Sequence, residues 1–177
     1  MSPVSAADVV AALRAAGQTV ATAESLTGGL VCATLVDVPG ASDVVRGAVV
    51  AYQPDVKTAV LGVDADLIAR EGTVNPAVAE QLALGVRDRL GATWGLGTTG
   101  VAGPGPSEGH PPGTVHLAVA GPDGVVSRRL ELSGDRDAVR RSAVRAVLAD
   151  LHYRLGKNSG PTDVEPHREG GGDDRDA

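Results

Sequence analysis

Thr19-Val20-Ala21-Thr22-Ala23-Glu24-Ser25-Leu26-Thr27-Gly28-Gly29, followed by the apolar run to Val36, decides the fold. Thr19 to Ala23 predicts a short buried strand, and Gly28 to Val36 predicts a helix directly after it, closed by the turn at Pro39 and Gly40. The same switch recurs downstream. Ala48 to Tyr52 predicts a second strand, and Pro54 suits the first turn of the next helix, where there is no amide donor to lose. Asn75-Pro76 opens another helix, whose Val78, Leu82, Val86 and Leu90 form one stripe, and Trp94 to Thr98 predicts a third strand.

Outward from this core the remaining elements follow the same logic. Ser5 caps a helix with Val9, Val10, Leu13 and Ala16 on one face, stopped by Gly17. Thr114 to Ala120 and Val125 to Leu132 flank Gly121-Pro122-Asp123-Gly124, which predicts a hairpin with a four-residue turn. The last helix starts near Asp135 and puts Val139, Ala143, Val147, Leu151 and Leu155 on one face, with Asp135 and Asp137 at its positive end. The fold class predicted is α/β, a three-layer α/β/α sandwich around a mixed, mostly parallel five-stranded sheet, in one domain over residues 1–155.

Composition narrows what such a domain does. In 177 residues the 42% hydrophobic content builds one core, and with 2% aromatics and no Phe that core must be Val, Leu, Ala and Ile. From Gly156 to Ala177 the apolar periodicity ends in Gly, Asp, Glu and Pro, the composition of a disordered, solubilising tail. Three basic and six acidic residues there leave −3 on the tail, and the other −3 of the formal −6 on the body. No Lys/Arg cluster is dense enough for nucleic acid, and no run reaches the roughly 18 apolar residues of a membrane helix. Cys32 is the single cysteine, so no internal disulfide is expected, and it reads as a buried helix residue. His110, His116, His152 and His167 lack metal-ligand spacing. The expectation is a cytoplasmic protein with no metal, no cofactor and a small-molecule ligand.

In a sheet of this kind the ligand crevice lies beyond the carboxyl ends of the parallel strands. Three segments leave those ends: Ala23 to Gly29, Tyr52 to Lys57, and Thr98 to Pro104. Ser25, Thr27, Gly28 and Gly29 stand at a helix start, where free amides and the dipole favour an oxyanion or phosphate; the same residues also read simply as a cap and a tight turn. Lys57 can turn into the crevice or lie in solvent, and acting as a base at neutral pH requires desolvation. Gly100 and Gly103 flank Val101 and Ala102 and allow close approach of a ligand to backbone, but the loop fits neither the P-loop nor the dinucleotide fingerprint. Ser25 also lacks the G-x-S-x-G elbow. Gly103 to Gly113 is rich in Gly and Pro and reads as a lid.

The blocks AESLTGG (23–29), AYQPDVK (51–57), GTTGVAGP (97–104) and SGDRDAVR (133–140) together resemble the CinA carboxy-terminal domain family, known as nicotinamide-nucleotide amidases. The resemblance covers about residues 5 to 155. It implies a stand-alone Ser/Lys amidase, with Ser25, Lys57 and an assisting Tyr52, converting nicotinamide mononucleotide to nicotinic acid mononucleotide and ammonia, and it implies a homodimer. Glu24, Thr27, Gly28, Gly29 and Thr99 to Gly103 (Thr99, Gly100, Val101, Ala102, Gly103) are the expected substrate-binding residues. Two departures stand out: the family commonly has Cys at the position of Leu26, and often Ser-Asn at Gln53-Pro54. The alternatives are a nucleotide-sensing module without chemistry, and a Ser/Lys amidase of another substrate.

Overall fold

The computed structural model describes residues 3–158. Among them the chain order is α1 (Ala6–Ala15), β1 (Val20–Glu24), α2 (Leu30–Val36), a short 3-10 turn (Ala41–Asp43), β2 (Val45–Val50), α3 (Pro54–Leu61), α4 (Ala65–Glu71), α5 (Pro76–Arg89), β3 (Trp94–Gly100), β4 (Thr114–Gly121), β5 (Gly124–Glu131) and α6 (Arg136–Asn158). The sheet order is β2-β1-β3-β4-β5. β1 pairs in parallel with β2 and β3, and β4 runs antiparallel to both β3 and β5. Four strands therefore share one direction, with β4 reversed, as the predicted mixed and mostly parallel sheet requires.

Helices cover both faces. Val9, Val10 and Leu13 of α1, Val31 and Leu35 of α2, and the buried stripe of α6 pack on Val20, Trp94, Leu96, Val115, Leu117 and Val119. On the other face Leu61, Leu67, Val78, Leu82 and Val86 of α3, α4 and α5 pack on Ala21 and Ala23. The small residues there set the spacing: a Cβ at Gly97 would stand 2.2 Å from the carbonyl oxygen of Ala79, so glycine lets α5 lie directly on β3. Strand β1 is buried along its whole length, its polar Thr22 and Glu24 included.

Several boundaries differ from the sequence reading. β2 lies at Val45–Val50, starting three and ending two residues earlier than expected: its register against β1 skips Arg46, and Ala51-Tyr52 turn off the sheet toward α3. Helix α4, capped by Asp64 on the amide of Asp66, has no counterpart in the sequence reading; at 7 residues it is too short to show a clear stripe. The hairpin closes more tightly than predicted, with Gly121 paired to Gly124 and only two residues between them. Helix α6 runs to Asn158, past the boundary set at Leu155, and the predicted tail from 159 onward lies outside the described residues.

Candidate active site

Ser25, Lys57 and Tyr52 meet at the carboxyl edge of the sheet. Glu24, the last residue of β1, lies between Val50 of β2 and Thr98 of β3. The next amide, that of Ser25, donates to the Thr98 carbonyl at 3.0 Å, and the amide of Ala51 donates to the Glu24 carbonyl at 2.9 Å. Both chains thus leave the sheet at the same level and side by side. Pro54 at the first turn of α3 then brings Lys57 back over this edge.

The Lys57 side chain is only 1% exposed. Its Nζ donates to Ser25 Oγ at 3.0 Å, to the Ala51 carbonyl at 2.6 Å and to the Tyr52 carbonyl at 3.0 Å. Among the described residues no carboxylate is in direct contact with it. Burial pulls its pKa down from 10.5 to about 8, while the more distant negative charge of Glu108 pulls the other way. Two of the three directions around Nζ end on carbonyls, which only accept, so a neutral amine spends its two hydrogens there. Its lone pair is then left facing the Ser25 hydroxyl, the one partner that can donate.

Tyr52 contributes differently from the expected manner. Its carbonyl holds Lys57, whereas the residue is exposed and its phenol accepts a bond from Arg136 at 3.2 Å. Arg136 also donates to the Gly103 carbonyl at 2.8 Å, and one turn later on α6 Arg140 donates to the carbonyls of Leu26 and Thr27 at 3.0 and 2.9 Å. Ser25 opens on a cavity of about 320 Å³, whose walls include Leu26, Tyr52, Thr73, Val74, Arg136 and the loop from Thr99 to Gly103. Thr99 is buried and donates to the Thr73 carbonyl at 2.8 Å.

The other expected binding residues are not at this cavity. Glu24 is fully buried, and its carboxylate accepts from Thr22 Oγ1 and from the amides of Gly29, Val31 and Cys32 at 2.9 to 3.0 Å. The Gly28 amide is bonded to the Ser25 carbonyl, and Thr27 Oγ1 lies 2.8 Å from Thr98 Oγ1. A carboxylate of the chain itself therefore occupies the anion-binding start of α2, and Gly28 and Gly29, at φ 59 and 95, serve the turn. Of the two glycine segments, only Thr99 to Gly103 faces the space beside Ser25. Gln53 is exposed and makes no side-chain cap, and Leu26 belongs to the core while touching the cavity.

Arg136, Arg140, Thr73 and Val74 escaped the sequence reading. Arg136 and Arg140 lie four apart within SGDRDAVR, and that spacing was the available signal. Thr73 and Val74 carry none. A larger groove of about 560 Å³ between β5 and α6, lined by Val126, Tyr153 and Arg154 among others, holds neither Ser25 nor Lys57. Among the described residues no cluster of His, Cys, Asp and Glu could hold a metal ion, and no helix is long and apolar enough to cross a membrane.

Comparison with known proteins places this geometry. The sequence profile described as the CinA C-terminal domain matches residues 4–155. The chain belongs to the CinA C-terminal domain family. A CinA-like protein of Frankia casuarinae is 54% identical over 137 residues, covering 77% of this chain and 31% of that protein, and one of Synechocystis sp. is 50% identical over 151 residues, covering 83% and 36%. The chain thus spans about a third of the length of the curated relatives it matches. Among solved structures, a CinA superfamily protein from Klebsiella pneumoniae superposes with a TM-score of 0.83 at 32% identity, covering 86% of this chain and 96% of that one. A competence/damage inducible protein from Agrobacterium tumefaciens gives 0.77 at 33% identity, covering 88% and 99%. The match at residues 4–155 takes in every strand of the sheet, and the Ser25–Lys57 pair lies within it.

Proposed function

We propose that this CinA domain is an amidase that hydrolyses the carboxamide of nicotinamide mononucleotide, releasing nicotinic acid mononucleotide and ammonia. The observation that carries the reading is the buried Lys57, 3.0 Å from Ser25 Oγ and otherwise bonded only to carbonyls. Neutral Lys57 takes the Ser25 proton as Oγ attacks the carboxamide carbon, and the backbone amides of Ala102 and Gly103, beyond the Val101 amide that the Thr114 carbonyl takes, are the candidates for holding the oxyanion. The lysinium so formed returns that proton to the departing nitrogen, leaving ammonia and an acyl-enzyme. Water, activated by the same amine, then cleaves the ester. The positive pyridinium ring of the substrate draws electrons from its carboxamide and makes it a better electrophile.

The substrate's phosphate fits the Arg136 side of the cavity rather than α2, whose first amides are committed to Glu24. Tyr52 acts in two ways in this reading: its carbonyl aims Lys57, and its phenol, held by Arg136, lies at the rim where a leaving group departs. Free ammonia is the test. Ser25→Ala is expected to lower kcat on nicotinamide mononucleotide by roughly a thousandfold or more with an unchanged melting curve. Near-parental ammonia release from that variant would overturn the assignment. A ligand-dependent melting shift without ammonia from nicotinamide mononucleotide, free nicotinamide or simple amides would make the domain a nucleotide-binding module instead.

A further inference from the structure

Loop 103–113 crosses the cavity mouth, with Gly103, Gly105, Pro106 and Ser107 among its walls. At its near end Arg136 holds the Gly103 carbonyl. Its tip is a tight turn in which Ser107 and His110 exchange backbone bonds of 3.0 and 2.9 Å, with Glu108 and Gly109 between them at φ 51 and 78. Two central residues at positive φ are the territory of Asn-Gly or Gly-Gly, because a longer side chain in the left-handed region costs about 1 kcal/mol. Glu108 is the sole non-glycine residue at positive φ among the described residues. A residue that violates local preference needs a compensating contact.

That contact is on the page. The Glu108 carboxylate reaches across the cavity mouth and accepts from the Thr73 amide at 2.7 Å, the Thr73 hydroxyl at 2.8 Å and the Val74 amide at 3.0 Å. Thr73 and Val74 form the opposite wall, and the Thr73 carbonyl is the acceptor for Thr99 of the cavity floor. One threonine thus ties the loop tip, the lead into α5 and the floor together. The carboxylate also acts on the reacting amine: around Lys57 lie the Ser25 hydroxyl, two neutral carbonyls, the Tyr52–Arg136 pair at the rim and, at longer range, Glu108, which opposes the effect of burial.

We propose that Glu108 is a positioning residue that clasps loop 103–113 across the Ser25 cavity through Thr73 and Val74, enclosing the substrate during reaction. The clasp holds the tip of the loop as Arg136 holds its near end, so substrate enters and product leaves when these three bonds open. The inference rests on the amidase reading for its catalytic consequence, but the clasp itself is measurable without turnover.

The experiment compares the whole chain with Glu108→Ala and Glu108→Gly, the second of which removes the left-handed strain together with the carboxylate and so guards against simple misfolding. Amide hydrogen exchange in segments 72–75 and 103–113 is expected to rise at least tenfold in both variants with little change in melting temperature. KM for nicotinamide mononucleotide is expected to rise about tenfold while kcat falls less than threefold, a split that a purely structural surface contact does not produce. Exchange in 103–113 within twofold of the parent, in both variants, overturns the clasp. If neither parent nor variant releases ammonia, the exchange result still decides the clasp and the amidase reading alone falls.

Discussion

Glu24 and Lys57 are two fully buried side chains of opposite charge, and they have been given opposite surroundings. Glu24 meets four donors, three of them backbone amides at the start of α2. Its charge is spent on a helix end whose dipole welcomes it. Lys57 meets three acceptors, none of them charged, and one of these is itself a potential nucleophile. Burial is common to both. What separates a clamp from a base is whether the partners leave the group a second protonation state in which every bond is still made. Lys57 has that state, whereas Glu24 fixes the turn that carries its neighbour Ser25.

Removing the amine gives the largest effect. Lys57→Met fills the same buried space with an uncharged chain and is expected to lower kcat by about a thousandfold, with stability equal to or above that of the parent. Ammonia release and thermal melting measured together check this. Activity within tenfold of the parent would break the comparison, since Lys57 would then be another buried structural charge.

Glu24→Ala probes the other half. It leaves the amides of Gly29, Val31 and Cys32 without their acceptor, the one of Val31 buried, and about 2 to 4 kcal/mol of folding stability is expected to be lost. Urea unfolding measures it. Glu24→Gln keeps the shape and should lose less, with activity per folded molecule far above that of Lys57→Met. An inactive but fully stable Glu24→Gln would sharpen the comparison the other way, by putting this carboxylate into the chemistry.

The pH profile separates the two groups further. With a folded pKa of about 8, Lys57 is mostly protonated at neutral pH, so kcat/KM should climb through pH 8 and level off above it. The same depression has a stability consequence. Between about 8 and 10.5 the unfolded chain holds the Lys57 proton and the folded chain does not, so the folded state gains stability as pH rises across that window. Chemical unfolding at pH 8 and pH 10, in parent and Lys57→Met, should show a gain in the parent that the variant lacks.

How far sequence foresaw this contrast depends on range. The strand-to-helix switch at Ala23 to Gly29 and the edge position of Lys57 were legible, because apolar runs, Pro54 and glycines are local signals. Glu24, expected among the binding residues, lies away from the cavity: nothing local distinguishes a carboxylate that faces a ligand from one that folds back on the next helix, and only the register of β1 between β2 and β3 turns it inward. Tyr52 was placed at the site, but its backbone rather than its phenol touches Lys57. Arg136 and Thr73 join the cavity through contacts spanning 84 and 26 residues, to Tyr52 and Thr99, which no periodicity reports.

The smallest expected effect concerns a third buried titratable group. His116 of β4 faces Thr99 on one side and Arg129 on the other, and its Nδ1 and the hydroxyl of Thr114 two residues away are both sealed without a partner among the described residues. Burial, and after it the positive charges of Arg129 and His110, push its pKa below the usual 6.5. The folded chain therefore keeps His116 neutral where the unfolded chain takes up a proton, and stability should fall as pH drops below 6.5. His116→Leu abolishes that uptake and should flatten this acid slope, leaving the Lys57-dependent gain between pH 8 and 10 untouched. Unfolding midpoints at pH 7 and pH 5.5 in parent and variant read the difference. Equal slopes would mean that the acid sensitivity belongs to other groups and that Lys57 stands alone among the buried bases in being poised by its surroundings.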